Sequence, residues 1–230
     1  MKKVTVFLPC RSGSQRVPNK NTKTFANVSG GLLSIKINQL INTFNIEKII
    51  VSTDDILVKK IALEFNSEKI IIDSRPDYLA SSETSTDDLI TYLPKVIESD
   101  HIMWTHVTSP FITSKIYFEA INKYFECISS QNFDSLMSVT PLKTFLWNEK
   151  APINYDREIE KWPRTQTLNP TYEINSGFFI ANRNIYINQN DRIGNTPLLY
   201  KLNKIDSFDI DWPEDFKIAE LLYKEKFDYD

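Results

Sequence analysis

The chain of 230 residues has only five Gly, two Cys and two His. With so few glycines, each is expected to answer a backbone need. Cys10 and Cys127 cannot make a disulfide scaffold for a chain this size, so free thiols and a reducing compartment are expected. His101 and His106 stand five residues apart across a strand start and make a poor metal pair. No Ser-His-Asp or Cys-His arrangement presents itself. No apolar run approaches the roughly 18 residues that cross a membrane. The start MKKVTVFLPC has too short an apolar core for a secretion signal, and Arg11 follows at once. A cytoplasmic protein without membrane partners is the expectation. Basic residues are not in surplus: 27 Lys and Arg face 30 Asp and Glu, a net charge of −3. That argues against nucleic acid as a partner, while a small anionic substrate stays compatible, because local charge matters more than the total. Neither G-x-x-x-x-G-K-[ST] nor G-x-G-x-x-G occurs.

What is present is ordinary globular composition, 41% hydrophobic and 25% charged, enough for one large α/β domain. Short apolar runs at 4–8, 49–54, 69–73, 102–107, 134–139, 176–181 and 205–211 read as strands. Helical periodicity marks 33–44, 55–66, 86–99, 114–129 and a last helix from Pro213. Leu33, Ile37, Leu40, Ile41 and Phe44 fall on one apolar face, and Ile56, Ile61, Leu63 and Phe65 are available to the core. The alternation predicts a doubly wound, mostly parallel sheet, with ligands beyond the strands' carboxyl ends. Residues 141–173 differ. Pro141, Pro152, Pro163 and Pro170 punctuate a stretch holding Phe145, Trp147, Tyr155, Trp162 and Tyr172, which reads as an inserted arm suited to a subunit interface. The FDYD tail is expected to fray.

Two features carry chemistry. The first is FLPCRSGSQRVPNKN (7–21), where a buried strand runs into a polar loop with Gly13, Ser12, Ser14, Arg11, Arg16 and Lys20. Strand, cationic loop and helix together suit phosphate binding: backbone N–H groups and side-chain cations can surround an anion there. A solvated basic loop is the plainer reading. The second is Asp209-Ile210-Asp211. Read as strand residues i and i+2, these carboxylates share one side, where a hard divalent ion such as Mg²⁺ would relieve their repulsion; a solvated strand end is the alternative. Asp54 and Asp55 read as the start of the next helix. His106 lies at a strand's carboxyl end, where it could touch substrate or simply pack at the rim.

The spacing P-x-R-x-G-S-x-R-x-P-x-K-N resembles the signature loop of the acylneuraminate cytidylyltransferases (CMP-sialic acid synthetases). The resemblance runs nearly the length of the chain, through IIVSTDD (49–55), RPDYLASSETST (75–86), THVTSPFIT (105–113), PLKT (141–144), PRTQ (163–166), the stretch 175–179 and FDIDWPEDFKIAE (208–220). It implies a single Rossmann-like nucleotidyltransferase domain over 1–230, with 141–173 as a dimerisation arm in a homodimer. By the same resemblance Arg11, Gly13, Ser14, Lys20 and Asn21 hold CTP, and Arg75, Thr84 and Thr86 meet its cytidine part. Asp209 and Asp211 hold Mg²⁺, and act catalytically with Arg11 and Lys20. His106, Lys143, Arg164, Asn175 and Phe179 fall where the acidic acceptor binds. The sequence departs from the family pattern at Cys10, Gln15, Glu83, His106-Val107, Phe111-Ile112 and Asn175-Ser176-Gly177. The nucleotide and metal elements match more closely than the acceptor elements. The reaction implied is transfer of CMP from CTP to a sialic-type acid or another small acid, with either His106 or a metal-lowered hydroxyl pKa accounting for proton removal. A non-catalytic CTP-binding regulatory domain and an interaction module acting through its arm are the alternatives.

Overall fold

The computed structural model describes residues 2–81 and 83–227. Ser82, inside the 75–86 motif, and most of the FDYD tail lie outside the described residues. Seven strands, β1 (Val4–Pro9), β2 (Ile46–Thr53), β3 (Ile70–Ser74), β4 (His101–Thr105), β5 (Ser135–Leu142), β6 (Thr171–Asn182) and β7 (Pro197–Lys201), form one sheet in the order β3-β2-β1-β4-β6-β5-β7. Only β6 runs antiparallel to its neighbours; the other adjacent pairs are parallel. The helices are α1 (Gly31–Ile41), α2 (Ile56–Glu64), α3 (Thr86–Val96), α4 (Ser114–Ser129), α5 (Arg183–Gln189) and α6 (Pro213–Phe227).

β1 is apolar but for Thr5 because both its faces are covered. Val6 and Leu8 join one core with residues of α1, α2, α4 and α6. Phe7 points the other way, into a second core with Ile90 and Leu93 of α3, Trp104 of β4, and Ile185 and Tyr186 of α5. Each fully buried aliphatic or aromatic side chain of this kind contributes about 1.5–3 kcal/mol. α2, α3 and α4 start where side chains cap them. Asp55 accepts from the Leu57 and Val58 amides, Ser85 and Asp88 form a reciprocal capping box, and Thr113 accepts from the Ile116 amide.

Several expectations are corrected. The segment 205–211 is no strand; the chain turns there. Asn203 Oδ1 accepts from the backbone of Ile205 and Asp206, an Asx turn that diverts the chain before it can pair. The seventh strand is instead β7, which follows α5; its Pro197 is tolerated as the first residue of an edge strand. Phe44 lies beyond the end of α1 and is 69% exposed, and Ile56 and Leu63 are exposed too; Val58, Ile61 and Ala62 bury α2. The two ends of the 141–173 segment belong to the sheet, since Leu142 pairs with Thr171 and Pro141 with Tyr172. The excursion itself occupies 143–170.

Order places the site. From β1 the chain winds outward through β2 and β3, then crosses back to β4 on the other side of β1. A crevice therefore opens between the loops that leave β1 and β4, the usual position for ligands in such sheets.

Candidate active site

The loop after β1 is held from below. Both the backbone N–H and the hydroxyl of Ser12 donate to the Asp54 carboxylate at the end of β2. Burial alone would raise the Asp54 carboxyl, but these bonds outweigh it and hold it below its usual value. Asp54 is thus a brace for the loop, with Asp55 alone starting the helix. Asn21 reaches back to the Arg11 carbonyl at 3.3 Å, and its own carbonyl accepts from Leu33 N–H at 2.9 Å. Gly13 has φ +68 with nothing near a hypothetical Cβ, so only its backbone turn requires glycine. Gly31 is more constrained: with φ +53, a Cβ would lie 1.9 Å from the Lys23 carbonyl oxygen where the loop packs on α1.

Three cavities follow one another along the strand ends. A cavity of about 260 Å³ is lined by Arg11, Ser14, Arg16, Lys20, Asn21, His106 and Asp211, among others. A second, of about 210 Å³, is lined by Arg75, Thr84 and Thr86 and shares Pro9, Arg11 and His106 with the first. A third, of about 640 Å³, shares Asp211 with the first and adds Asp209, Asn175, Glu173 and Lys204. Most of the residues chosen from the sequence are therefore assembled in order: nucleoside-sized recess, cationic cavity, wider cavity.

The charges are arranged to be used. Lys20 Nζ donates to the Ile210 carbonyl at 2.7 Å and lies 3.8 Å from Asp211. Burial lowers its pKa despite the nearby carboxylates of Asp211 and Asp209. Arg16 pairs with Asp211 at 3.1 Å and covers the Trp212 ring. Among the described residues Arg11 makes no ion pair within 4.0 Å, leaving its charge for a ligand. Arg75 is buried, donating to the Ser52 hydroxyl at 3.2 Å and the Ser52 carbonyl at 2.8 Å, and burial lowers its pKa.

The aspartates share a cavity although the strand geometry expected for them is absent. Asp211 is 55% exposed in its side chain. Asp209 is largely buried, and burial raises its carboxyl pKa against the contact with Thr108, with Asp211 adding to the rise. Its Oδ1 is buried without a hydrogen-bond partner. Among the described residues no three His, Cys, Asp or Glu side chains cluster as a self-sufficient metal site. A Mg²⁺ ion needs less, because it is commonly held by one or two carboxylates together with substrate phosphates and water. An orphaned carboxylate oxygen beside a second carboxylate, next to a cationic cavity, fits that mode.

Three acceptor assignments separate from the groove. Phe179 is 2% exposed inside the second core, under the Arg192 guanidinium at 3.8 Å; its alternation along β6 turns it inward. Lys143 lines a cavity of about 600 Å³ with Gln166 and Tyr172 at the root of the arm. Arg164 is exposed on the arm and lines none of these cavities. Asn175 does line the wide cavity, but its side chain is spent on the hydroxyls of Ser138 and Thr140 and on the Gly177 amide. Residues missed from sequence are Asp54, Asp215 and Trp104. Asp215 accepts from the Asp211 and Trp212 amides; a carboxylate four residues after Asp211 at a helix start was the available signal. For Trp104 the available signal was its place two residues before His106 in the expected strand 102–107, which sets both side chains on one side; its indole donates to His106 Nε2 at 2.9 Å.

The family model for cytidylyltransferases matches residues 5–230. The chain belongs to the cytidylyltransferase family. It is 26% identical over 97% of its length to an N-acylneuraminate cytidylyltransferase of Escherichia coli, covering 53% of that protein. It is 24% identical to a pseudaminic acid cytidylyltransferase of Campylobacter jejuni, with 95% of each chain covered. The chain thus spans about half the length of the Escherichia coli relative and nearly all of the Campylobacter one. In fold it is similar to a CMP:2-keto-3-deoxy-manno-octonic acid synthetase complexed with CTP, with a TM-score of 0.68, 14% identity, and 98% of this chain and all of that one covered. A 4-diphosphocytidyl-2C-methyl-D-erythritol synthase from Anaerococcus prevotii gives a TM-score of 0.67 at 14% identity, covering 97% of this chain and 96% of that one. Both likenesses establish the Rossmann-like α/β fold of this cytidylyltransferase family member. No helix among the described residues is long and apolar enough to cross a membrane.

Proposed function

We propose that the chain transfers CMP from CTP to the hydroxyl of a sialic-type (nonulosonic) acid, releasing pyrophosphate. The observation that carries this reading is the continuity of the groove: a nucleoside-sized recess joins a cationic cavity at Arg11 and His106, which in turn meets a wide cavity at Asp211. The relatives' names support the class of acceptor.

In this reading the cytidine part occupies the recess of Arg75, Thr84 and Thr86. The phosphates lie over the loop, where Gly13 turns the backbone and Ser14 and Asn21 line the wall. The acceptor, in the wide cavity beside Asn175, attacks the α-phosphorus through its hydroxyl oxygen. A new P–O bond forms, the bond to pyrophosphate breaks, and the hydroxyl proton leaves to water. Positioning and charge neutralisation do most of such work. Arg11 and Lys20 neutralise the leaving pyrophosphate. Asp209 and Asp211 would hold Mg²⁺, which when bound supplies Lewis-acid neutralisation of phosphate charge.

The arm supports a homodimer. Phe145 packs edge-on against Tyr155 and Trp162 at 5.2 and 5.6 Å, yet Trp147, Ile153, Ile159 and Trp162 stay exposed. An apolar cluster on an excursion suits burial against a second copy. Lys143 and Arg164, which line none of the three cavities of their own chain's groove, would then serve the acceptor end of the other protomer's groove. A cytoplasmic setting, where CTP is available, agrees with the two free buried thiols.

The test is pyrophosphate release from CTP, ATP, GTP and UTP with Mg²⁺, against a panel of nonulosonic acids, 3-deoxy-octulosonic acid and phosphorylated small acids. Release with CTP and a nonulosonic acid is expected. Release only with a non-sugar acid would keep the transfer reading and remove the acceptor. CTP binding without release from any acceptor would favour a regulatory binding domain.

A further inference from the structure

His106 stands where the nucleoside recess meets the cationic cavity and lines both. We infer that Trp104 locks His106 as its Nδ1–H tautomer, making the ring a neutral hydrogen-bond donor to the oxygens where nucleoside joins phosphate, and not the base that takes the acceptor's proton. The donor role rests on the proposed CTP reading of the groove; the lock does not.

The argument begins with what an indole can do. Its N–H only donates. Trp104 Nε1 lies 2.9 Å from His106 Nε2, so Nε2 presents its lone pair. A neutral imidazole has one N–H, which must then be on Nδ1. Protonating Nε2 as well would set two N–H groups against each other. The indole cannot turn away to permit it: Trp104 is 1% exposed, with Phe7 edge-on at 4.8 Å and the Arg192 guanidinium over its ring at 5.3 Å. Among the described residues this is the single hydrogen bond to the His106 ring, so Nδ1–H is left for a ligand.

The charges around the ring act in the same direction. Burial, then the cations of Arg192 (after α5), Lys36 (α1) and Lys20 (the β1 loop), push the His106 pKa down to about 3. No carboxylate is among the groups acting on it. A general base for a hydroxyl works best with a pKa near the working pH and a free lone pair; this ring offers neither. It offers a fixed dipole aimed at developing negative charge, which needs no reorganisation during reaction. His106 is then a catalytic residue by contact with substrate, and Trp104 a positioning residue acting through it.

The test uses the full chain labelled with ¹⁵N-histidine. Its only two histidines make assignment simple, since His106→Asn removes one set of signals. At neutral pH the His106 ring is expected to show a protonated Nδ1 and a bare Nε2, without titrating between about pH 5 and 8. Trp104→Phe keeps a ring in the core but deletes the donor; the fixed tautomer should be lost and turnover should fall about 10-fold, the worth of one hydrogen bond. Asn can place an amide N–H near the Nδ1 position but cannot act as a base. His106→Asn should therefore stay within about 10-fold of the parent, while His106→Ala falls about 100-fold, as for loss of a preorganised donor. A proton on Nε2 in the parent chain would overturn the lock. His106→Asn as inactive as His106→Ala, with CTP still bound in calorimetry, would overturn the donor role. Failure of the parent to bind CTP would remove the groove reading and the donor role together, while the histidine spectrum would still decide the lock.

Discussion

The groove at the ends of β1 and β4 and the arm between β5 and β6 use polar and aromatic residues in opposite ways. In the groove nearly every functional side chain is set by another part of the same chain. Ser12 is tied to Asp54, Lys20 to the Ile210 carbonyl, Arg75 to Ser52, and His106 to Trp104. In the arm the aromatic rings touch mostly one another, Arg157 covers Trp147 and Trp162 at 5.5 and 5.9 Å, and much of the apolar surface faces outward. The contrast teaches that one chain suffices to fix the charges of the groove, which must be placed in advance. In the proposed reading, the outward apolar surface of the arm is what a second copy would cover.

The sharpest way to break the comparison is at the carboxylate that joins the two larger cavities. Asp211→Ala should reduce pyrophosphate release by about 1,000-fold, the scale of losing a transition-state electrostatic contact, while circular dichroism shows the fold retained, since that side chain is largely exposed. Near-parental turnover at saturating Mg²⁺ would remove it from the site.

Beneath the groove, Lys36 is fully buried, donating to the Ser109 carbonyl at 2.8 Å and the Tyr117 hydroxyl at 2.6 Å. Burial lowers its pKa from 10.5 to about 7, against the pull of Asp209. Between those values the unfolded chain binds a proton that the folded chain refuses, so stability falls as pH drops from 10.5 to 7 and levels off below. Urea titrations at pH 9.5 and pH 7.5 should differ by about 3 kcal/mol more in the parent than in Lys36→Met. Equal pH slopes would mean that the site is hydrated or the lysine remains charged.

The loop brace should matter less. Asp54→Ala frees Ser12 and should raise the KM for CTP about 10-fold, the worth of one or two hydrogen bonds, with little change in kcat. A selective loss of kcat would instead place Asp54 in the chemistry. The smallest effect is expected from the arm. Trp162, 67% exposed, changed to Ala should shift monomer stability by no more than about 0.5 kcal/mol and leave CTP affinity within about 2-fold, while shifting the oligomer toward monomer in sedimentation. If CTP affinity fell with dimerisation, the nucleotide end would not be self-sufficient.

Much of this was legible because the signals were local. The apolar run of β1 ending at Pro9, the cationic loop after it, and the start of α2 at Asp55 each depend on residues within a few positions. The second half of β6 was legible as 176–181, while its first residues were read into the arm. The seventh strand was misplaced for a physical reason: Phe208 and Ile210 alternate with acidic residues as a strand would, but the Asx turn at Asn203 overrides the pattern. Meanwhile Pro197 to Lys201 looked unremarkable and was recruited by pairing with β5.

The chain's own order of residues determined the fold class, the cationic loop and the family, since periodicity, capping and turn chemistry act over short distances. Tertiary structure alone decided which groups meet. It set Asp54 under Ser12, turned Phe179 into the core, and left Lys143 and Arg164 outside the groove. It also joined Trp104 to His106 by two side chains on one edge of β4, a contact whose direction depends on the packing of Phe7 and Arg192 around the indole. Hydrogen-bond direction and burial are properties of assembled neighbours, and no single stretch of sequence contains them.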